Sequence, residues 1–115
     1  MVNLAVKLSD LDFQAEVWSA PMIKPLSSSQ LNRIAERASR LITLEEHSVL
    51  GGFGSCVAEL LSQRSDIHLC RIGVEDRLSN SCGSWQHMLN EHRIDYKSVK
   101  EKIDKFLAKQ TGQVF

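Results

Sequence analysis

Cysteine is scarce in this chain. Cys56, Cys70 and Cys82 are the only three in 115 residues, none in a C-x-x-C spacing. An odd count cannot pair completely within one chain, so reduced thiols of a cytosolic protein are expected. Proline is scarcer still, at Pro21 and Pro25 only. Neither sign of charge is in excess, with 14 Lys+Arg against 14 Asp+Glu. No net field therefore draws the chain to nucleic acid or anionic lipid. Long apolar runs are missing too. Leu41-Ile42 before Thr43-Leu44 is among the longest, whereas a membrane span needs roughly 20 residues. The N-terminus has neither the positive start nor the apolar stretch of a signal peptide. These absences lead to the expectation of a cytoplasmic protein with no nucleic-acid and no membrane partner. What remains, 43% hydrophobic and 24% charged residues, is the composition of one globular domain, expected to span 1–115.

The periodicity alternates between helical and extended. Residues 2–9 read as a helix with Leu4, Ala5 and Leu8 on one face. Ala15-Glu16-Val17-Trp18-Ser19 reads as a short strand, after which Pro21 and Pro25 block regular structure. Ser27 and Gln30 have capping-box spacing, and Leu31, Ile34, Ala35 and Ala38 follow on one helix face. Leu41 to Leu44 suits a parallel strand covered on both faces. The loop Gly51-Gly52-Phe53-Gly54 leads into a helix with Phe53, Val57, Leu60 and Leu61 on one side. Residues 67–74 form a second apolar strand. Ser84 caps a short helix carrying Trp85, Met88 and Leu89. Asp95 caps the last helix, with Val99, Ile103, Phe106 and Leu107 inward and Lys97, Lys100, Lys102 and Lys105 outward. This order predicts a mostly parallel sheet between helices, a three-layer α/β/α sandwich. With only three strands visible, at least one more is expected upstream of Met1.

The glycine loop is the most informative stretch. Gly51, Gly52 and Gly54 lie between a strand and a helix N-terminus, where backbone N–H groups and the helix dipole favour an anion. The spacing is neither G-x-G-x-x-G nor a P-loop, so a tight turn with close helix–sheet approach is the plainer explanation. Glu45, Glu46 and His47 end the preceding strand, where open α/β sheets place ligands. A carboxylate beside an imidazole suits acid–base work, as it does a surface or interface hydrogen bond. His68, His87 and His92 have no metal-ligand spacing, and His87 and His92 do not share a helix face. Cys56, close to a helix N-terminus, is either a reactive thiol or a small packed residue. Trp18 and Trp85 read as core or interface anchors.

Taken together, the stretch from Thr43 to Leu60, with Glu45-Glu46-His47 and Gly51-Gly52-Phe53-Gly54-Ser55, resembles the C-terminal domain of transketolase-type thiamine diphosphate enzymes. Ile23-Lys24-Pro25-Leu26 is similar to that family's Ile-Lys-Pro-Leu segment. Arg71-Ile72-Gly73-Val74, Asp76-Arg77 and Gly83-Ser84 are similar to its last strand and the loop after it. The sequence departs from the family pattern at Glu75, Leu78 and Ser79. It departs again at Arg93, which stands where a glycine helix stop is usual.

The resemblance implies an α/β/α domain around a five-strand mixed sheet, here lacking upstream strands. Either the segments 15–19 and 41–45 pair directly or an exchanged segment fills the gap. It implies a parent transferase that moves a two-carbon ketol unit between sugar phosphates, using thiamine diphosphate and Mg²⁺ held by other domains. This fragment is then expected to be inactive, with no catalytic, cofactor-binding or metal residue of its own. It is expected to pack in a homodimer against the remaining domains or subunit. Glu46, His47, Gly51, Gly52 and Gly54 are the candidate interface or anion loop. The rival readings are 1-deoxy-D-xylulose 5-phosphate synthase, the partner-docking β subunit of a 2-oxoacid dehydrogenase, and a stand-alone interaction domain.

Overall fold

Two parallel strands divide the apolar residues into two separate cores. The computed structural model describes residues 1–111, so the last four residues of the expected domain lie outside the described residues. The elements are α1 (Val2–Leu8), a wide π-type turn (Ser9–Phe13), α2 (Ser28–Ala35), β1 (Arg40–Ser48), α3 (Phe53–Leu60), β2 (His68–Val74), α4 (Trp85–Glu91) and α5 (Tyr96–Thr111). β1 and β2 pair in parallel from Arg40↔His68 to Leu44↔Ile72, and the register is interrupted before Ser48↔Val74.

Side-chain alternation along the strands sends residues to opposite faces. On one face Ile72 joins Leu8, Leu89, Ile94, Val99 and Ile103, with Leu44, Cys70 and Val74 packed against them. On the other, Leu31, Ala35, Val57 and Leu61 form a second cluster with Leu41, Phe53 and Leu69. Helices α1, α4 and α5 thus cover one face and α2 and α3 the other, giving the expected α/β/α sandwich around a small parallel sheet.

The local signals hold where they are local. Ser27 caps α2, accepting from the Gln30 N–H at 3.3 Å, although among the described residues the Gln30 side chain makes no return bond. Ser84 caps α4 by accepting from the His87 N–H at 3.2 Å. Asp95 accepts from the Ser98 N–H at 3.2 Å at the start of α5.

Three expectations need correction. The segment 15–19 is not a strand, and the sheet has two strands among the described residues. No neighbouring strand offers residues 15–19 a ladder. The segment follows Gln14, whose φ of 49° ends the π-type turn, and is tethered by the Glu16–Arg37 ion pair. Of the two roles open to the tryptophans, the core is excluded, with Trp18 58% and Trp85 61% exposed, and the interface role stands. Leu60 turns outward, 42% exposed, while Leu61 is buried. Two of the outward lysines are more enclosed than their helix face suggests. Lys102 pairs with Glu75 at 3.2 Å, and Lys100 pairs with Asp104 at 2.9 Å and Asp12 at 3.5 Å.

Arg93 forms the left-handed stop that its side chain disfavours. Its φ is 55°, and the Ile94 N–H donates back to the Leu89 carbonyl at 2.9 Å, closing α4. Glycine adopts this backbone without the Cβ penalty. The Arg93 side chain offers only an exposed 3.7 Å ion pair with Glu101 in return. Arg93→Gly is expected to raise stability by about 0.5–1 kcal/mol, measured as a higher urea midpoint at unchanged slope.

Candidate functional site

The N-cap position of helix α3 is held by Gly52, which has no side chain with which to cap it. The first N–H groups of a helix have no intrahelical partner and need an acceptor from elsewhere. Glu45 supplies it from the end of β1. Its Oε2 accepts from the Phe53 N–H at 2.6 Å, and its Oε1 accepts from the Gly54 N–H at 2.8 Å. Glu45 is only 4% exposed. The charge is held by two oriented amides and the positive end of the α3 dipole. The acceptor that these two loop amides meet is the chain's own carboxylate.

The glycines are there because Glu45 needs the space. A Cβ at Gly52 would collide with Glu45 Oε2 and the Ser48 carbonyl oxygen. At Gly54 it would sit 2.6 Å from Thr43 Oγ1 and 3.0 Å from Glu45 Oε1. At Gly73, on β2, it would sit 2.8 Å from both Glu45 Cγ and the His47 carbonyl oxygen. Ser55 fastens the rest of the loop. Its hydroxyl donates to the Val49 carbonyl at 2.9 Å and accepts from the Gly51 N–H at 3.0 Å. Arg71 Nη1 reaches both Ser55 Oγ, at 3.0 Å, and the Val49 carbonyl, at 3.2 Å.

The three consecutive polar residues at the strand end therefore part company. Glu45 goes under α3. Glu46 goes to the other face, accepting from Trp85 Nε1 at 3.1 Å and from the Met1 amine at 3.3 Å. The Trp85 hydrogen bond is the main reason its carboxyl titrates below the ordinary glutamate range; partial burial opposes this, and the amine adds to it. The His47 side chain is 71% exposed, with Nδ1 4.0 Å from Glu45 Oε2. The carboxylate beside the imidazole is thus Glu45 rather than Glu46. His47, Gly51 and Gly52 come together with Ile23, Leu50 and Cys56 along a shallow cleft of about 280 Å³. Gly54 lies beneath that rim.

The other histidines act separately. His87 Nε2 meets Ser81 Oγ at 2.8 Å and Glu91 at 3.8 Å, while His92 Nε2 meets Ser79 Oγ at 2.8 Å. Among the described residues there is no group of three His, Cys, Asp or Glu side chains placed to hold a metal ion. The Phe53 and Gly54 amides of the loop are committed to Glu45.

Sequence reasoning named Glu45 without giving it this role, and gave Gly73, Ser55 and Arg71 no part beyond carrying the resemblance. One signal was present. A helix opening on Gly-Gly-Phe-Gly has no capping side chain of its own, and the nearest buried acceptor upstream is the carboxylate at the strand end.

The fold and this loop define a class of α/β/α modules in which a strand-end carboxylate caps the following helix. The family described as transketolase, C-terminal domain, matches residues 1–99, and the chain belongs to it. It is similar to 1-deoxy-D-xylulose-5-phosphate synthase of Histophilus somni (strain 2336), 33% identical over 110 residues covering 95% of this chain and 18% of that protein. It is similar to the enzyme of the same name from Chlorobium phaeovibrioides (strain DSM 265 / 1930), 36% identical over 105 residues covering 90% of this chain and 15% of that protein. A solved split-gene transketolase, an inactive beta4 tetramer, superposes with a TM-score of 0.75 at 29% identity, over 93% of this chain and 36% of that one. The chain spans less than a fifth of the length of these two curated relatives.

Two outcomes follow from the geometry. Hydrogen bonds to a buried charge are worth about 1.5–3 kcal/mol each. Glu45→Ala, which also opens a cavity, is expected to cost about 3 kcal/mol or more in urea unfolding, a large share of a small domain's stability. A loss under about 1 kcal/mol would show that the carboxylate does not hold the loop. Separately, Trp85→Phe removes the indole donor, so the Glu46 carboxyl should titrate closer to 4.5 by NMR. Because the folded-state pKa is lowered, the stabilising contribution of Glu46 is present above the unfolded value and fades as pH falls through the folded one. The variant should narrow that window.

Proposed function

We propose that the whole chain, 1–115, is a single non-catalytic assembly module of a transketolase-family parent enzyme, one that uses thiamine diphosphate and Mg²⁺ to transfer a two-carbon unit. The observation that carries this reading is the occupation of the anion-shaped loop by Glu45. The donors that would otherwise meet a phosphate are spent on building the domain. What stays accessible around the loop is a contact surface, with His47, Gly51, Leu50 and Ile23 at its rim. Docking of the remaining domains or subunit against that rim accounts for a polar strand end beside exposed apolar side chains. Homodimeric assembly of the parent is part of the same reading, as is a cytoplasmic setting in keeping with three unpaired thiols.

The sequence relatives named above favour the 1-deoxy-D-xylulose-5-phosphate synthase form of the parent, and the structural likeness favours transketolase. In either form, this reading puts the chemistry outside this chain. In isothermal titration calorimetry with thiamine diphosphate and Mg²⁺, the chain alone is expected to give no saturable heat. Mixed with a polypeptide carrying the other domains of the parent, it should form a complex that His47→Ala and Leu50→Asp weaken together. Saturable micromolar binding of the cofactor to the isolated chain would overturn the assignment.

A further inference from the structure

The loop between β2 and α4, residues 75–84, is exposed at every position, so no buried side chain of its own orders it. Polar bonds to α4 and its C-cap do so instead. Glu91 is the hub and is largely enclosed. Its Oε1 accepts from the Asn80 N–H at 2.7 Å, its Oε2 accepts from the Ser81 hydroxyl, and its carbonyl accepts from Arg77 Nη2. His87 meets Ser81 and His92 meets Ser79, each at 2.8 Å. Lys102 of α5 holds the first loop residue, Glu75, at 3.2 Å.

What these bonds hold out is Leu78. At 89% it is the most exposed large apolar side chain among the described residues. A lone exposed leucine is ordinary on a protein surface. One on a loop fastened both before and after it is pre-organised, because the ordering entropy is lost in folding rather than on contact. From Leu78 to Ser84 the loop has no charged residue, so Leu78 can be covered without burying an unpaired charge. The loop also shares one end of the sheet with the rim around His47. The Val49 N–H donates to the Val74 carbonyl at 2.9 Å, so the segments 49–52 and 75–84 leave the strands side by side. Leu50, also exposed, stands on the first as Leu78 stands on the second.

We propose that Leu78, presented by the Glu91-fastened loop, is the anchor by which this domain docks on the remaining polypeptide of its parent, entering an apolar, uncharged pocket there. Glu91 is its positioning residue. This chain covers 18% and 15% of two curated relatives, so the occupant is drawn from the large remainder of such a polypeptide. The proposal rests on the docking reading above and extends its contact from the rim at 49–52 to the loop after β2.

The test is the affinity of the full chain for the polypeptide carrying the other domains, by surface plasmon resonance, with thermal melts verifying that each variant is folded. Leu78→Asp is expected to weaken the complex about tenfold or more, the effect of losing an anchor. Glu91→Ala should weaken it about threefold or more and speed hydrogen exchange at the Asn80 amide in the free chain. Glu91→Gln, which keeps an acceptor for that amide, should restore both. Added to Leu78→Asp, Glu91→Ala should weaken the complex no further, a non-additivity that a merely structural role of Glu91 would not produce. A Leu78→Asp complex within about twofold of the unaltered one, with Leu50→Asp still weakening it, would overturn this proposal and leave the docking reading standing. No complex with the unaltered chain would overturn both. A chain that dimerises alone and loses the dimer on Leu78→Asp would also overturn the proposal, and would assign the anchor to a second copy.

Discussion

A carboxylate without water around it is costly unless donors replace every interaction it loses. Glu45 is buried between β1 and α3, and much of the domain's local geometry follows from keeping it satisfied. Its two oxygens take the first free amides of α3, which fixes where that helix starts and how it lies on the sheet. The glycines at 52, 54 and 73 follow as steric requirements, one before the helix, one in its first turn and one on the adjacent strand. Ser55 and Arg71 then brace the intervening turn against the Val49 carbonyl. An arrangement that looks from sequence like a binding loop is, in three dimensions, a joint between two elements.

That joint sits on a sheet unusually narrow for two hydrophobic layers. Sheets in compact domains usually have more than two strands, and among the described residues β1 and β2 alone separate the α1–α4–α5 core from the α2–α3 core. Buried apolar residues on both faces hold the pair, since Ile72 and Leu69 of one strand feed opposite clusters. The cost of the narrow sheet appears at its margins, where Val17, Trp18, Met22, Ile23 and Ile42 all retain more than a third of their surface. Apolar side chains left open in this way suit a domain whose surface is completed by something else.

Sequence reading succeeded where structure is decided within a few residues. The Ser27 and Ser84 caps, the inward faces of α2 and α5 and the two parallel strands were legible, because caps and periodicity are local properties, although α2 ends at Ala35 and leaves Ala38 outside the helix face expected to hold it. It failed where the outcome depends on distant partners. Val17 and Trp18 have strand-like side chains, but a strand exists only beside another strand, and nothing local announces that the neighbour is missing. Leu60 and Leu61 are indistinguishable as residue types, and the pitch of α3, fixed by Glu45, decides which is buried. At the loop an anion contact and a tight helix–sheet turn were both open readings, and the Glu45 carboxylate joins them in one arrangement. The identity of the anion was not legible, because it depends on a strand and a helix meeting eight residues apart.

The Glu45 joint also changes how α3 opens. A helix normally frays from its ends, where amides lack partners and local unfolding is nearly free. In α3 the amides of Phe53 and Gly54 are bound to a carboxylate rooted in the sheet, so releasing them requires parting α3 from β1. Their hydrogen exchange is tied to the opening of the α2–α3 layer rather than to end-fraying, which makes the first turn of this helix among the last of its amides to exchange.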